Sequence, residues 1–430
     1  MIQKIYNAFF ECNQKITTDT RNISKGCLFF ALKGPNFNGN QFAKEAIKKG
    51  AKYAIIDEKE YHVNHTTFLV EDVLETLQAL ALFHRKKFKI PIIGITGTNG
   101  KTTTKELIGT VLSSKFNILI TKGNLNNHIG VPLTILQLNK NHDIGIIEMG
   151  ASKKGDIKEL ADICIPTHGL ITNIGKAHLE GFGNIDTIRK TKLELYENII
   201  KNNGEIIVNQ DDEFLLKKIP SHIKTYRYGC KGKGNIVGEV VNFNPTIEVK
   251  ITFDKENIIK STTSLLGAYN LPNILAAAII GKIFNLKSKD IVTSINNYIP
   301  SNNRSQLINS INNTIIADCY NANPTSTLES LISLNLMKGA KKIAILGDML
   351  ELGEQSNLEH QFIVDFVKQK NIDCLLVGSC YNSTKSNFNK FENTDLLIEY
   401  LKKKEFKEYI VLLKASRGIQ LEKIIEKKIL

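Results

Sequence analysis

A glycine-rich turn lies within residues 92–105, which read IIGITGTNGKTTTK. The apolar run at its start predicts a buried parallel strand, and residues 102–114 predict the helix that follows it. In this arrangement the turn amides and the positive end of the helix point at an anion, and glycine lets phosphate oxygens approach the backbone closely. Lys101 would supply a cation and Thr102 a hydroxyl for Mg²⁺. The stretch therefore predicts a binding site for a nucleoside triphosphate.

The turn departs at one position from the strict phosphate-loop spacing. That spacing places a first glycine five residues before Gly100, where this chain has Ile95. Gly97 must therefore make the turn. The alternative is an ordinary glycine-rich turn between a strand and a helix, which does not explain the run from Gly100 to Thr103.

Length and composition indicate a multidomain globular protein. The chain has 430 residues, 42% of them hydrophobic, so we expect two or three domains. No stretch approaches the roughly 18 uninterrupted apolar residues of a membrane span, and the first residues lack the apolar core of a signal peptide. The 7 cysteines form no CxxC pair, which argues against a disulfide framework or a zinc site. We therefore expect a cytoplasmic protein.

The net charge of +13 raises the question of a nucleic-acid partner. The lysines are scattered along the chain, without a basic block interleaved with aromatic residues, and a basic surface also suits an enzyme with polyanionic substrates. A nucleic-acid-stimulated ATPase would need a basic groove and a steep salt dependence of binding. We expect no nucleic-acid partner.

The alternation of strands and helices predicts an α/β fold with three domains. Residues 1–88 form a small N-terminal α/β domain of the kind that recognises a substrate. Residues 89–300 form a central, phosphate-loop ATPase-like domain with a mostly parallel sheet, and antiparallel strands are expected at 224–266, where the hydrophobic period shifts towards two. Residues 301–430 form a C-terminal, Rossmann-like α/β domain.

Two strand ends carry residues suited to metal binding. Glu148 closes an apolar strand, and ligands of open α/β sheets bind beyond the carboxyl ends of the strands. His178 follows the end of the next strand, where a neutral imidazole could be a second ligand. The alternatives are a capped strand end for Glu148 and a structural role for His178.

Lys192 occupies an unexpected position on a predicted helix. The apolar residues Ile188, Leu195 and Ile199 form a stripe along that helix, and Lys192 falls in the middle of it. An unpaired ammonium would be costly to bury there. Either the side chain reaches solvent, or its charge is chemically altered or paired at a site.

The order of these motifs resembles that of the Mur ligases. They are the glycine-rich turn, Glu148 with the Met and Gly after it, the run Asn-Ile-Gly-Lys-Ala-His that ends at His178, and Lys192. Within the family the chain resembles the branch that adds a dipeptide. The stretches that carry this closer resemblance are residues 123–133, 320–324, 346–353 and 414–418.

The resemblance implies roles for matching residues. Those implied to act in catalysis are Lys101, Glu148, His178 and Lys192. Those implied to hold ATP are Gly97, Thr98, Asn99, Gly100, Lys101, Thr102, Thr103, Asn270, Asn273, Arg304 and Asp318. One Mg²⁺ would be held by Thr102 and Glu148, and a second by His178 and a carbamylated Lys192. The substrate-binding residues would be Asp19, Arg21, Asn126, Asn127, Tyr320, Asn321 and Asn323.

The resemblance also implies an activity. It is an ATP-dependent, ADP-forming amide ligation that joins D-alanyl-D-alanine to UDP-N-acetylmuramoyl-tripeptide through an acyl phosphate. The product is a peptidoglycan precursor, needed for cell wall, cell shape and division, and the enzyme is expected to be a monomer. The alternative is a sister ligase that adds a single amino acid. The Asp-Asn-Pro-Arg segment expected of the ligase for the third residue is absent, whereas Tyr-Asn-Ala-Asn-Pro is present at 320–324.

Overall fold

Three main sheets organise the chain, in the order that the sequence predicts. The protein is described by a computed structural model that covers residues 1–232, 234–254, 257–301, 303–339, 341–404 and 406–430. The predicted α/β class with three domains is confirmed. In these described residues, no helix combines the length and the apolar character that a membrane span requires. The exact domain boundaries, after residues 88 and 300, stay predictions.

The N-terminal unit is a parallel sheet with helices on both faces. Leu28 and Phe30 of β2 pack against α1 and α3, whereas Phe29 faces α2, as the two-residue period of a strand requires. The sheet order is β1-β2-β5-β6, and β3 and β4 form a separate antiparallel pair. The strands are β1 (Ile16–Thr17), β2 (Leu28–Phe30), β3 (Lys33–Gly34), β4 (Phe37–Asn38), β5 (Tyr53–Ile56) and β6 (Thr67–Leu69). The helices are α1 (Ile2–Glu11), α2 (Ala43–Lys48) and α3 (Val73–Arg85), with 3₁₀ turns at Thr20–Asn22, Gly39–Phe42 and Lys59–Tyr61.

The central unit is a nine-stranded sheet in the order β15-β14-β13-β12-β11-β10-β7-β9-β8. The strands are β7 (Ile92–Thr96), β8 (Ile118–Ile120), β9 (Ile144–Glu148), β10 (His168–Ile171), β11 (Glu205–Asn209), β12 (Thr225–Gly229), β13 (Ile236–Phe243), β14 (Thr246–Asp254) and β15 (Asn257–Leu266). The helices are α4 (Lys101–Ser113), α5 (Gly130–Ile135), α6 (Asp156–Cys164), α7 (Leu179–Phe182), α8 (Ile185–Lys201), α9 (Glu213–Leu216), α10 (Leu271–Ile283) and α11 (Ser288–Asn297), with a 3₁₀ turn at Ala268–Asn270.

The antiparallel prediction for residues 224–266 is confirmed for β13, β14 and β15. It is wrong for β12, which is parallel to both β11 and β13. The local hydrophobic pattern of a strand does not specify the direction of its neighbours, so a short strand such as β12 is easily misassigned.

Strand β7 lies inside the central sheet, and every one of its residues is buried. Ile93 and Ile95 pack into one core with α4 and α10, and Ile92 packs into the core on the opposite face, which also contains residues of α6 and α8. Each fully buried isoleucine contributes about 1.5–3 kcal/mol of burial free energy. A strand covered on both faces is typical of parallel sheets. This packing fixes the point from which the glycine-rich turn begins.

The C-terminal unit is a six-stranded sheet in the order β16-β17-β21-β18-β19-β20. Edge strand β16 is antiparallel to β17, and the remaining pairs are parallel. The strands are β16 (Gln306–Asn309), β17 (Thr314–Asp318), β18 (Lys341–Gly347), β19 (Asp373–Val377), β20 (Asn389–Phe391) and β21 (Tyr409–Lys414). The helices are α12 (Pro324–Leu336), α13 (Ser356–Gln369), α14 (Ser379–Asn382), α15 (Thr394–Leu401) and α16 (Glu422–Glu426), with 3₁₀ turns at Gly353–Gln355 and Arg417–Ile419.

Candidate active site

A cleft of about 1060 Å³ lies between the central and C-terminal units. The carboxyl ends of β7, β9 and β10 border it on one side, and residues after β17 and β21 border it on the other. Most of the predicted site residues line it: Thr98, Asn99, Gly100, Lys101, Thr102, Thr103, Asn126, Asn127, Glu148, His178, Asn270, Asn273, Arg304, Asp318, Tyr320, Asn321 and Asn323. Gly97, Lys192, Asp19 and Arg21 are not among the lining residues.

Backbone geometry explains the two glycines of the turn. Gly97 has φ 147°, and Gly100, the residue before α4, has φ 78°. A Cβ on Gly97 would lie 2.0 Å from Oγ1 of Thr172, and one on Gly100 would lie 2.6 Å from Oδ1 of Asn273. Side chains are excluded at both positions by conformation and by space. Gly97 therefore makes the turn, as predicted from the missing first glycine.

The turn is tied to the end of β10 through Asn173. The Thr98 amide donates to the Asn173 carbonyl at 2.9 Å, and the Asn99 amide donates to the Asn173 side-chain oxygen at 3.0 Å. These bonds hold the turn against the end of β10. A preorganised turn is a requirement for electrostatic stabilisation of a charged ligand.

Lys101 folds back onto its own turn. Its Nζ donates to the carbonyls of Gly97 at 2.7 Å and Thr98 at 2.9 Å. Burial lowers the pKa of Lys101 to about 8, and the charge of Arg304 acts in the same direction, against that of Glu148. An anion in the turn would compete with the two carbonyls for this ammonium.

Glu148 is buried at the end of β9, with one oxygen hydrogen-bonded and the other in an ion pair. Its Oε1 accepts hydrogen bonds from the Thr102 hydroxyl at 3.2 Å and from the Asn126 amide at 2.8 Å. Its Oε2 accepts none from the described residues, although Nζ of Lys105 lies 3.4 Å away. A buried carboxylate next to the Thr102 hydroxyl offers oxygen ligands of the kind that a divalent cation prefers, and such an ion would compete with Lys105 for Oε2.

Lys105 is a site residue that the sequence interpretation missed. Its side chain and that of Glu148 are almost fully buried, at 3% and 2% exposure. The available signal was its spacing on α4, because it lies three residues after Thr102 and so shares a helix face with it. That spacing alone does not show whether the partner of Lys105 is an apolar side chain or a metal-binding residue such as Glu148.

His178 contacts the C-terminal unit. It has φ 50°, and its Nδ1 lies 2.5 Å from Oε2 of Glu351. The backbone of Glu351 makes a second contact nearby, because its carbonyl accepts a hydrogen bond from the Glu180 amide at 3.2 Å. The imidazole lowers the pKa of Glu351 by hydrogen bonding, against the effect of burial. Glu351 was quoted in a motif, but a contact between separate domains could not be predicted from it. The metal-binding role of His178 stays a prediction.

Lys192 is buried within its helix stripe. Its exposure is 3%, beside the buried Ile188, Leu195 and Ile199. The alternative in which the side chain extends into solvent is therefore wrong. Among the residues that the structure describes, none forms a hydrogen bond or an ion pair with its amine. Burial, followed by the charge of Lys101, places the pKa of Lys192 well below its ordinary value.

The side of the cleft formed by Arg304, Asp318, Tyr320, Lys414 and Arg417 is called here the C-terminal wall. The Arg304 guanidinium lies 3.7 Å from the centre of the Tyr320 ring. Nζ of Lys414 lies 2.8 Å from Asp318 Oδ2 and donates to the Asn321 carbonyl at 3.0 Å. Asp318, which the resemblance implies to hold ATP, is thus paired with the buried Lys414.

Asn323 connects the two sides of the cleft. Its Oδ1 caps α12 by accepting from the Ser326 amide at 2.9 Å, and its Nδ2 donates to Asn99 Oδ1 at 2.7 Å. Its side-chain groups therefore have partners in the protein, whereas the neighbouring Asn321 is exposed in the cleft. Asn323 therefore lies opposite the glycine-rich turn.

Asn270 and Asn273, which the resemblance implies to hold ATP, form a hydrogen bond with each other. Asn273 Nδ2 donates to Asn270 Oδ1 at 2.8 Å, and Thr104 donates to Asn273 Oδ1 at 3.0 Å. Both asparagines are buried, so they brace α10 against α4 next to the turn. Tyr269, which precedes them, bonds Ser305 across the cleft at 2.8 Å.

The remaining predicted substrate residues lie in two places. Asp19 and Arg21 pair with each other at 2.8 Å on the N-terminal unit, away from the cleft lining. Asn126 donates to Glu148, and Asn127 Oδ1 accepts from the Gly130 amide at 2.8 Å at the start of α5. Their substrate-binding roles stay predictions.

A three-membered group of potential metal ligands lies outside the predicted set. Within the described part of the chain, Asp348, His360 and Cys380 form the one such group. The His360 imidazole already accepts from the Met349 amide at 3.0 Å, and Asp348 accepts from the amides of Cys380 and Tyr381. These bonds give the group a structural role in the C-terminal unit.

Fold and site together define a three-domain α/β enzyme with a glycine-rich turn of the phosphate-loop type at an interdomain cleft. Three family descriptions match consecutive parts of the chain: "Mur ligase family, catalytic domain" at residues 14–85, "Mur ligase middle domain" at 95–281, and "Mur ligase, glutamate ligase domain" at 303–426. The chain belongs to the Mur ligase family, and the resemblance noted in the sequence is confirmed.

Characterised relatives match over nearly the whole chain. The UDP-N-acetylmuramoyl-tripeptide–D-alanyl-D-alanine ligase of Bacillus subtilis is 32% identical, over 96% of this chain and 92% of the relative. The enzyme of the same name from Escherichia coli is 31% identical, over 95% of this chain and 92% of the relative.

Solved structures agree with the fold. MurF from Acinetobacter baumannii has a TM-score of 0.87 at 28% identity, with 96% of this chain and 93% of that chain covered. MurF ligase from Thermotoga maritima in complex with ADP has a TM-score of 0.87 at 29% identity, with 96% and 97% covered.

Proposed function

We propose that this enzyme joins D-alanyl-D-alanine to UDP-N-acetylmuramoyl-tripeptide in an ATP-dependent reaction that forms ADP and phosphate. The observation that carries the proposal is the contact between Asn99 of the glycine-rich turn and Asn323 of the C-terminal unit. It brings a phosphate-binding element and the loop at 320–324 to opposite sides of one cleft. The names of the relatives support the choice of both substrates.

The triphosphate would lie against the glycine-rich turn and the first turn of α4. The amides there supply donors, and Lys101 would exchange the carbonyls of Gly97 and Thr98 for phosphate oxygens. An anion at that position favours the charged form of Lys101, whose pKa burial lowers to about 8. The relative in complex with ADP supports a nucleotide at this site.

Thr102 and Glu148 would hold Mg²⁺, because Glu148 keeps one buried oxygen without a hydrogen-bond donor among the described residues. When bound, the ion would offset the charge that gathers as carboxylate and triphosphate meet. His178 and a modified Lys192 would hold a second ion. Glu351 would then have to release the imidazole that it contacts at 2.5 Å.

Lys192 has the properties of an amine that reacts with carbon dioxide. Burial and the charge of Lys101 favour its neutral form, which is the nucleophile. In carbamylation the amine nitrogen forms a bond to the carbon of CO₂, one C–O π bond becomes an oxyanion, and the amine releases a proton. The product replaces an unpartnered amine by an anion that can ligate a cation.

The ligation would proceed in two displacements. An oxygen of the terminal carboxylate of the tripeptide attacks the γ-phosphorus, and ADP leaves. The amine of the dipeptide then attacks the acyl carbon, phosphate leaves with that oxygen, and the amine loses a proton. The Asn99–Asn323 contact would position the amine and exclude water, because a hydrolysed acyl phosphate consumes ATP without product.

We propose the remaining roles on the basis of the resemblance to the family. Asp19 and Arg21 would bind the uridine part on the N-terminal unit, Asn126 and Asn127 the muramoyl peptide, and Tyr320 and Asn321 the dipeptide. Asn270, Asn273 and Asp318 would support the adenosine end of the cleft. The enzyme would act as a cytoplasmic monomer in peptidoglycan precursor synthesis.

An ADP-release assay with single omissions tests the proposal. With ATP, Mg²⁺, UDP-N-acetylmuramoyl-tripeptide and D-alanyl-D-alanine, we expect steady ADP formation and equal formation of the ligated product. Omission of either peptide substrate should remove steady turnover. Equal ADP formation without the dipeptide or without the muramoyl peptide would contradict the proposal.

A further inference from the structure

The C-terminal wall carries two guanidinium groups on one aromatic ring. Arg304 lies 3.7 Å from the centre of the Tyr320 ring, and Arg417 lies 5.7 Å from the same point. Neither arginine has a carboxylate partner within the residues that the structure describes. Two like charges beside one ring are electrostatically unfavourable unless an anion lies between or next to them.

The other cations of the cleft either have partners in the protein or lie nearer to the nucleotide or on the central unit. Lys101 binds the carbonyls of its turn, and Lys414 is paired with Asp318 at 2.8 Å. Arg304 is one of the residues that the family resemblance assigns to ATP, and its charge contributes to the lowered pKa of Lys101. Lys153 belongs to the central unit, in the segment after β9.

Arg417 remains as the uncompensated cation on the C-terminal side. Its side chain is exposed in the cleft, in the 3₁₀ turn Arg417–Ile419. The preceding Ser416 is buried, and its Oγ accepts from the Leu350 amide at 2.9 Å. The base of the arginine is thus fixed, whereas its five donors are free for a planar, bidentate acceptor.

We propose that Arg417 binds the terminal carboxylate of the incoming dipeptide and thereby selects a free acid as the second substrate. This proposal rests on the proposed function. A dipeptide of D-alanine offers only two methyl groups for apolar contact, so its carboxylate is the group that the enzyme can bind most strongly. Anchoring at Arg417 places the carboxylate on the C-terminal side and leaves the amine directed across the cleft towards the glycine-rich turn.

The test compares D-alanyl-D-alanine with its C-terminal amide, which lacks the carboxylate charge. For the wild-type enzyme we expect a KM for the free acid about 10- to 100-fold below that for the amide, from the strength of a charged hydrogen-bond pair. Arg417→Gln should raise the KM for the acid by a similar factor. Its KM values for the amide and for ATP should change less than about threefold.

Two further variants define the control and the geometry. Lys403→Gln removes the same charge from an exposed position of the same domain outside the cleft lining and should leave all constants unchanged. Arg417→Lys keeps the charge but loses the planar fork, so it should recover only part of the preference for the acid.

Three results would overturn the assignment of Arg417. They are equal losses with acid and amide, a rise in the KM for ATP in place of the dipeptide, and a wild-type enzyme indifferent to the carboxylate. Each of these presupposes ligation of D-alanyl-D-alanine by the wild-type enzyme. Failure of the proposed function would be recognised separately, because the wild type would then not ligate this dipeptide at all.

Discussion

Replacement of Lys192 by methionine should stabilise the protein while abolishing its activity. Methionine keeps the unbranched length of the side chain and suits the apolar surroundings of Ile188, Leu195 and Ile199. Lys192 as a whole is 3% exposed, and its amine has no hydrogen-bond partner in the described residues. Such a residue is expected where selection for function opposes selection for stability.

The magnitude follows from the burial of one unpartnered polar group. Leaving a buried neutral donor without an acceptor costs about 1–3 kcal/mol, and burial favours the neutral form of Lys192. Lys192→Met should therefore raise the free energy of unfolding of the central unit by about 1–3 kcal/mol. For a unit of this size each kcal/mol corresponds to about 2–4 °C in Tm.

The assay is thermal and urea denaturation in metal-free buffer depleted of carbon dioxide, so that Lys192 of the wild type remains unmodified. Lys190→Met, an exposed substitution on the same helix, is the matched control and should change stability by less than about 0.5 kcal/mol. Ligation activity is measured on the same proteins after Mg²⁺ and bicarbonate are restored. Two results would refute this reasoning. One is a free energy of unfolding of Lys192→Met more than about 1 kcal/mol below that of the wild type, and the other is wild-type turnover in that variant.

Three further predictions concern the turn, the interdomain contact and the response to pH. Lys101→Ala should fold normally but lose more than nine-tenths of ligation activity, a cost above about 1.4 kcal/mol; turnover above a tenth of wild type would contradict the assignment of the ATP site. Asn323→Ala removes the α12 cap and the bond to Asn99, so it should lower kcat and raise the KM for the dipeptide far more than the KM for ATP. Equal effects on both KM values would contradict the role of the Asn99–Asn323 contact in positioning the amine of the dipeptide. His84 is buried against the Leu138 carbonyl, and burial lowers its pKa, so the unfolded chain binds the proton more readily than the folded chain. The contribution of His84 to stability should be complete above the ordinary pKa of 6.5 and should decrease as the pH falls below that value. In His84→Gln the slope of Tm against pH between pH 5 and 7 should be smaller than in the wild type.

Local patterns in the sequence predicted the elements that position the site. The buried strands β7 and β9 each have four apolar residues or glycines before a polar last residue, Thr96 or Glu148. Gly97, Gly100 and Lys101 indicate the turn between β7 and α4. Their side-chain alternation and glycine content follow from neighbours in the chain. These features could therefore be predicted without knowledge of the rest of the fold.

Contacts between distant segments could not be predicted in the same way. The pairing of Glu148 with Lys105 depends on the position of β9 beside β7, and the pairing of His178 with Glu351 depends on how two domains meet. For Lys192, the helix stripe predicted the conflict, but the choice between solvent and burial depended on the segments packed around α8. Tertiary packing, rather than local preference, decided each of these cases.

The most direct test of the proposed function is a competition experiment read by mass spectrometry. The enzyme receives ATP, Mg²⁺, the UDP-N-acetylmuramoyl dipeptide and tripeptide, and an equimolar mixture of D-alanyl-D-alanine, L-lysine and diaminopimelate. We predict one major product, whose mass equals that of the tripeptide nucleotide plus D-alanyl-D-alanine less one water. A major product in which a single free amino acid is joined to the muramoyl dipeptide would contradict the account and indicate a sister ligase of the family.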